Sequence, residues 1–180
     1  YRFEAAGVTA IVCAGDGEVT LHADQACAEY PGVTVKLATG GPKEGWLDFD
    51  ALLEQADDQL ERAETLSTDP MLLYFTSGTT GYPKMVVHVF SYPIVHIITA
   101  RYWHNLRPDS LHLTVADTGC GKAVWGKLYG QWLCGAGVFV YDYEKFNPSD
   151  LLHMIEQYRI TSFCAPPTIY RFFIKERMEH

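Results

Sequence analysis

The sequence predicts an α/β fold in which mostly parallel sheets are covered by helices. Short runs rich in β-branched residues alternate with amphipathic helical segments, an order typical of parallel strands joined by helical crossovers. Of the 180 residues, 48% are hydrophobic and 20% are charged, which is enough apolar material for a sizeable core. This composition excludes a disordered tail, a collagen-like fibre and a disulfide-stapled miniprotein.

The first third of the chain carries two predicted strands and two predicted helices. The strands are expected at residues 8–13 and 33–37, and the helices at residues 24–30 and 49–56. Asp48 is a candidate N-cap of the second helix, because its carboxylate can accept a hydrogen bond from an amide of the first turn. Residues 57–69 are highly charged and predict a solvated connection.

The rest of the chain continues the alternation. Apolar runs at residues 71–76 and 84–89 enter and leave a loop of glycine and hydroxyl residues. Asn147 is a candidate N-cap for a helix that has Pro148 at its first position. The remaining predicted elements are helices at 92–105, 123–134 and 168–177 and strands at 112–115, 138–141 and 161–165. We therefore predict two portions, at about 1–68 and about 69–180.

Charge and cysteine content narrow the function classes. The chain has 14 Lys and Arg residues against 22 Asp and Glu residues, a net charge of −8 without a basic run, which argues against a nucleic-acid partner. No apolar run predicts a membrane span, and the first residues lack the pattern of a secretory signal. The 5 scattered cysteines form no Cys-x-x-Cys pair, which favours a reducing, cytoplasmic location.

One loop combines the residue types that bind phosphate: Thr76, Ser77, Gly78, Thr79, Thr80 and Gly81. Glycines let backbone amides converge on an anion, hydroxyls add donors, and Lys84 supplies a positive charge suited to phosphate oxygens. By composition alone an ordinary hairpin loop is an alternative, since the same residues are common in turns. A P-loop is excluded, because it requires Gly-Lys followed by Ser or Thr, whereas Lys84 follows Pro83 and Lys122 precedes Ala123.

The stretch from Tyr74 to Lys84 resembles the signature phosphate loop of the acyl-adenylate-forming (AMP-binding) superfamily, whose members are acyl-CoA synthetases, peptide-synthetase adenylation domains and luciferases. Met85 and residues 116–119, 141–143 and 165–171 look like the medium-chain acyl-CoA synthetase branch. The resemblance covers essentially the whole chain. It implies that residues 1–180 are a central fragment of the N-terminal domain of an AMP-forming acyl-CoA synthetase, without the C-terminal lid domain. The missing initial methionine also indicates a fragment.

The resemblance implies a two-step reaction. A carboxylate attacks the α-phosphate of ATP to give an acyl-adenylate, and the thiol of coenzyme A then displaces AMP. The loop Thr76–Gly81 would hold the β- and γ-phosphates, with Lys84 as the catalytic residue that neutralises charge on the leaving pyrophosphate. The implied small-molecule partners are ATP, coenzyme A and a medium-chain, branched or aryl carboxylic acid. Mg²⁺ would be held by residues outside this chain, so the fragment is expected to be inactive alone.

The resemblance places Gly119, Cys120 and Trp125 at the acyl pocket. Many relatives carry tryptophan where this chain has Cys120, so a deeper pocket is expected. An aspartic-protease reading of residues 117–119 is disfavoured because a second such triplet is missing. The spacing of His88, His96 and His104 predicts packing rather than a metal site, and the role of His88 stays open. Two alternative functions remain, namely an adenylating enzyme that loads a carrier-protein thiol and a non-catalytic nucleotide-binding module.

Overall fold

The computed structural model describes residues 1–77, 81–117, 119–143 and 145–176. The chain divides into two compact units, one formed by Tyr1–Thr65 and Leu73–Val87 and the other by Leu66–Leu72 and His88–His180. The sequence predicts one boundary near residue 68, whereas the segment Leu73–Val87 belongs with the first unit. Within this unit, the rings of Phe75 and Tyr82 both contact the ring of Tyr1.

The first unit contains a parallel sheet with the order β1-β2-β3, in which Ala10 lies opposite Val35 and Leu37 lies opposite Leu47. Parallel strands need crossovers, and the helix Val19–Glu29 supplies the one from β1 to β2, whereas a loop at residues 40–46 joins β2 to β3. The elements are the helices α1 (Arg2–Ala6), α2 (Val19–Glu29) and α3 (Phe49–Gln55) and the strands β1 (Ala10–Ala14), β2 (Val35–Thr39) and β3 (Leu47–Asp48). Ile11, Ala23, Ala38 and Trp46 form its buried apolar core.

Two local sequence signals in this unit are confirmed, namely a helix cap and a charged connection. The Asp48 side chain accepts a hydrogen bond from the Ala51 amide, so it caps α3 as predicted. Residues 57–69 lie almost entirely exposed and outside any helix or strand up to Pro70, as the charge pattern predicts. The elements α1 and β3 were not predicted, because segments of five and two residues are too short for a period to show.

Strands β4 (Pro70–Thr76) and β5 (Lys84–Val89) form a two-stranded sheet. They coincide closely with the two predicted apolar runs. The loop of hydroxyl residues and glycines therefore joins the end of β4 to the start of β5, as the sequence predicts.

The second unit is built on a parallel sheet with the order β7-β6-β8. Leu111 lies opposite Gly137 and His112 lies opposite Ser162, so β6 is the central strand. Its elements are the helices α4 (Tyr92–Tyr102), α5 (Gly121–Val124), α6 (Gly130–Leu133), α7 (Pro148–Gln157) and α8 (Pro167–Lys175), the strands β6 (Leu111–Thr114), β7 (Gly137–Val138) and β8 (Ser162–Cys164), and a π-helical segment at Trp125–Tyr129. Both units confirm the predicted α/β class with parallel sheets.

Two helices of this unit differ from prediction. Helix α4 ends at Tyr102 rather than at residue 105, because Asn105 adopts the left-handed backbone conformation with φ 54°. The single helix predicted at 123–134 is instead the succession of α5, the π-helical segment and α6. The N-cap of α7 is confirmed, since the Asn147 side chain accepts a hydrogen bond from the Ser149 amide.

Among the described residues, none of the helices has both the length and the apolar character needed to span a membrane. The cysteines are all free thiols, with Cys134 buried among Ala100, Leu106 and Ala136 in the core of the second unit.

Candidate functional site

The predicted phosphate loop is closed at its base by contacts between its two flanking strands. The Thr76 hydroxyl at the end of β4 donates a hydrogen bond to the carbonyl of Lys84 at the start of β5, at 3.4 Å. Thr76, Ser77, Gly81 and Lys84 are all exposed. The Ser77 hydroxyl and the Lys84 ammonium group therefore face solvent, which fits a phosphate cradle, whereas the hydrogen of the Thr76 hydroxyl is given to the Lys84 carbonyl. Gly78, Thr79 and Thr80 lie outside the described residues.

The backbone conformation of Gly81 explains why this position of the loop is a glycine. Its φ of 115° lies in the region that glycine adopts readily and other residues rarely adopt. A Cβ added at Gly81 would meet no atom within 4 Å, so the requirement comes from backbone conformation and not from crowding. Glycine at this position is needed for the return of the chain into β5.

Aromatic contacts hold the far side of the loop. The Tyr1 ring stacks on the Tyr82 ring with centroids 4.6 Å apart, and the Tyr1 hydroxyl donates a hydrogen bond to the carbonyl of Pro83 at 3.1 Å. The Arg2 guanidinium lies 5.6 Å from the centroid of the Phe75 ring. These contacts order the residues on either side of the loop, which lowers the entropy lost when a ligand binds.

The second unit has a cavity of about 630 Å³ at the carboxyl edge of its sheet, here called the sheet-edge cavity. Its described walls are residues 115–117 after β6, residues 140–143 after β7, Pro166 after β8, and Lys127 from the π-helical segment. Ligands of open parallel sheets bind at the carboxyl ends of the strands. The volume suits a small organic molecule.

Asp117 shapes the turn that leads from this cavity into α5. Its carboxylate accepts a hydrogen bond from the Gly119 amide at 2.7 Å, and its carbonyl accepts one from the Cys120 amide at 2.9 Å. A Cβ at Gly119 would lie 3.0 Å from the Asp117 carboxylate, so glycine fits the tight turn. Asp117 therefore stabilises this turn. Thr118 lies outside the described residues.

Cys120 is exposed immediately before α5, and neither Cys120 nor Trp125 is among the described residues that line the sheet-edge cavity. The Trp125 ring is half-buried among aromatic side chains, with ring centroids 4.8 Å from His88, 4.7 Å from Tyr92 and 5.0 Å from His96. Its indole N–H is buried without a partner among the described residues. The roles predicted for Gly119, Cys120 and Trp125 stay predictions.

The three histidines singled out by their spacing separate into two groups. His88 and His96 both contact Trp125, and burial and the neighbouring His88 lower the pKa of His96. His104 instead lies beside His112, with ring centroids 4.7 Å apart. No group of three or more His, Cys, Asp or Glu side chains in the described residues is placed to hold a metal ion.

A buried polar cluster lies behind the π-helical segment. The carbonyl of Gly126 accepts hydrogen bonds from the Thr114 hydroxyl at 2.6 Å, the Gln131 side-chain amide at 2.8 Å and His112 Nε2 at 3.2 Å. Burial, and next the nearby His104, lower the pKa of His112 to about 4, against the opposing effect of the bond to Gly126. The His112 imidazole is therefore neutral at ordinary pH.

Comparison with known proteins identifies the family. The model of the AMP-binding enzyme family matches residues 1–180. The chain belongs to the AMP-binding enzyme family. It is 36% identical over 181 residues to human mitochondrial acyl-coenzyme A synthetase ACSM4, covering 99% of this chain and 31% of that protein. It is 33% identical over 178 residues to human mitochondrial acyl-coenzyme A synthetase ACSM5, covering 98% of this chain and 30% of that protein.

The chain thus spans about a third of the length of the curated relatives that it matches. Two solved structures share its fold. One is an anthranilate CoA ligase, AuaEII, in complex with anthranoyl-AMP, with a TM-score of 0.88, 23% identity, and coverage of 99% of this chain and 34% of that chain. The other is an acyl-CoA synthetase from Brucella canis, with a TM-score of 0.81, 23% identity, and coverage of 96% and 31%. The family model and the curated relatives confirm the predicted family, and the two solved structures confirm the fold class.

Sequence reasoning missed several residues that the structure brings together. Lys127 of the π-helical segment reaches the sheet-edge cavity, where Tyr141 and Tyr143 also contribute to the wall. His112 and Thr114 share one face of β6, and this alternation was the available signal for the buried cluster. The third member of the cluster, Gln131, gave no signal, because a lone glutamine in a helix is usually exposed.

Proposed function

We propose that this chain is part of an AMP-forming acid:CoA ligase that activates a medium-chain, branched or aryl carboxylic acid through an acyl-adenylate. The observation that carries the proposal is the phosphate loop in a member of this family, with exposed donors at Ser77 and Lys84 and with Gly81 at positive φ. The amides and hydroxyls of this loop would hold the β- and γ-phosphates of ATP. The Lys84 ammonium would stabilise the charge that develops on pyrophosphate as it leaves.

The acid and the acceptor are also part of the proposal. The names of the relatives support an acyl substrate and coenzyme A, and the 630 Å³ sheet-edge cavity has room for an acid of moderate size. A requirement for Mg²⁺ with ligand residues outside this chain is inferred from the resemblance alone. A carrier-protein thiol in place of coenzyme A is the alternative, and product analysis with each acceptor distinguishes the two.

The location of the protein stays a proposal. The free thiols of the structure support a reducing compartment, and the sequence predicts the cytoplasm. The curated relatives named above are mitochondrial by name. Fractionation of cells that express the full-length protein tests this assignment.

The test is ATP–pyrophosphate exchange by the full-length protein against a panel of carboxylic acids. We expect exchange in the wild type and a loss of about tenfold to a hundredfold in Lys84→Ala, because a charge-assisted hydrogen bond contributes about 1.5–3 kcal/mol. The fold should be little affected, since Lys84 is exposed.

A matched control removes the same charge elsewhere. Lys175 is exposed at the end of α8, so Lys175→Ala should retain wild-type exchange. Equal exchange in Lys84→Ala and Lys175→Ala would refute the phosphate assignment. Failure of the wild type to exchange with any acid would refute the proposed activity and favour a non-catalytic nucleotide-binding module.

A further inference from the structure

The carbonyl of Gly126 is the point at which the π-helical segment meets the sheet. It accepts hydrogen bonds from three side chains, namely the Thr114 hydroxyl, the Gln131 amide and His112 Nε2. All three side chains are buried. Two of them, His112 and Thr114, come from the central strand β6, so the bonds tie the helical segment directly to the sheet.

The hydrogen atoms of the cluster can be assigned from its acceptors. The Gly126 carbonyl has no hydrogen to give, so Nε2 of His112 must carry one. The Thr114 hydroxyl gives its only hydrogen to Gly126 and accepts the Nε2–H of His112 at 2.7 Å. The Ser162 hydroxyl of β8 lies 2.8 Å from Nδ1 of His112 and also donates a hydrogen bond to the carbonyl of His104 at 3.0 Å. The two contacts of Nε2 with Thr114 and Gly126 thus favour the tautomer of His112 that carries its hydrogen on Nε2.

The segment that these bonds hold carries two side chains of interest. Lys127 forms part of the wall of the sheet-edge cavity, and Trp125 packs against His96 of α4 with the two rings nearly parallel. In a π-helix each carbonyl bonds the amide five residues on, which changes the direction of these side chains relative to an α-helix. Without an external anchor, five residues of π-helix have no local reason to persist, because α-helical bonding is the better geometry.

We propose that His112, Thr114 and Gln131 are positioning residues that keep Trp125–Tyr129 π-helical and thereby set which acids the sheet-edge cavity accepts. This inference rests on the proposed ligase function, because it needs an acid to be selected. Loss of a donor to Gly126 lets the segment relax and moves Lys127 at the cavity wall. The affinity for the acid should change, while the affinity for ATP should not.

Two threonines are compared in the test, the buried Thr114 and the exposed Thr161. Thr114→Val removes a donor to Gly126, whereas Thr161→Val removes a hydroxyl that bonds the backbone of Leu111 at the start of β6, away from Gly126. The measurement is kcat and KM for a chain-length series of acids and for ATP, in the full-length protein, with melting temperatures recorded. We expect Thr114→Val to change acid kcat/KM about threefold to tenfold, unevenly along the series, with KM for ATP unchanged.

His112 adds a rescue experiment. His112→Gln can still present an N–H where Nε2 lies, and His112→Leu cannot. We expect the acid profile of His112→Gln to stay nearer to wild type than that of His112→Leu. If His112→Leu fails to fold, the two threonine variants decide the question.

Coinciding acid profiles for Thr114→Val and Thr161→Val would overturn the proposal and leave the cluster with a purely structural role. A wild-type protein that activates no acid would overturn the positioning role together with the proposed function. The two failures are distinguishable, because only the second abolishes exchange in the wild type.

Discussion

Gly130 is a position where two helices of the second unit pack closely, and Gly130→Ala tests how far that packing can yield. Gly130 is buried at the start of α6. A Cβ placed on it would lie 3.0 Å from the Cβ of Ala100 and 3.0 Å from the carbonyl oxygen of His96, both in α4. Carbon atoms in good contact lie about 3.5–4.0 Å apart. The added methyl group therefore requires the two helices to separate by about half an ångström.

Two effects of opposite sign decide the outcome. Alanine has a better helix propensity than glycine, by about 1 kcal/mol. Overpacking a tight contact costs about 1–3 kcal/mol, and the obstacles here are a backbone carbonyl and a Cβ, which cannot rotate away. We expect a net loss of about 1 kcal/mol in the free energy of unfolding of this region.

The assay is denaturant or thermal unfolding of the full-length protein, with Gly121→Ala as the control. Gly121 begins α5, and a Cβ there would meet its nearest neighbour, Cδ1 of Trp125, at an ordinary 3.8 Å. Gly121→Ala should leave the stability unchanged or slightly higher, whereas Gly130→Ala should lower it. A Gly130→Ala protein at least as stable as the control would show that α4 moves freely and would refute the argument from close packing.

Two further predictions concern the first unit and the acid. Hydrogen bonds from Lys36 and then Trp46 lower the pKa of Asp24 below its ordinary value of 3.8. The carboxylate therefore contributes stability that is present above about pH 4 and is lost as the pH falls through the folded-state pKa. Asp24→Asn should melt below wild type near pH 7, with a gap that narrows towards about pH 3, and a constant gap would contradict this. Cys120→Trp should shift kcat/KM towards short acids, by about 0.8 kcal/mol or fourfold per excluded methylene, and superimposable chain-length profiles would remove Cys120 from the acyl site.

Most of the fold could be predicted because its determinants are local. The caps at Asp48 and Asn147 bond amides two or three residues away, so residue type alone was enough to place the starts of α3 and α7. The end of α4 was placed three residues too late, because the left-handed conformation of Asn105 follows no apolar period. Asparagine tolerates that conformation better than most residues, so Asn105 itself was the sequence signal for the end of the helix.

The π-helical segment could not be predicted from its own residues. The apolar and aromatic spacing of residues 123–134 agrees with an ordinary helix, and local propensity gives no reason for a different one. The deviation depends on donors to Gly126 that come from β6, 12 and 14 residues earlier in the chain. A conformation that depends on such distant partners becomes visible only when strand and helix are packed together.

The two parts of the candidate site differ in the same way. The phosphate loop is contiguous, since the strands that flank it are neighbours in sequence and Thr76 bonds Lys84 across its base. Its phosphate-binding chemistry can therefore be predicted from eleven consecutive residues, Tyr74 to Lys84. The sheet-edge cavity is assembled from the ends of β6, β7 and β8, and each contributing residue is ordinary in its own segment. Only the parallel order β7-β6-β8 brings those ends to one edge, so topology has to be known before Lys127 becomes a candidate.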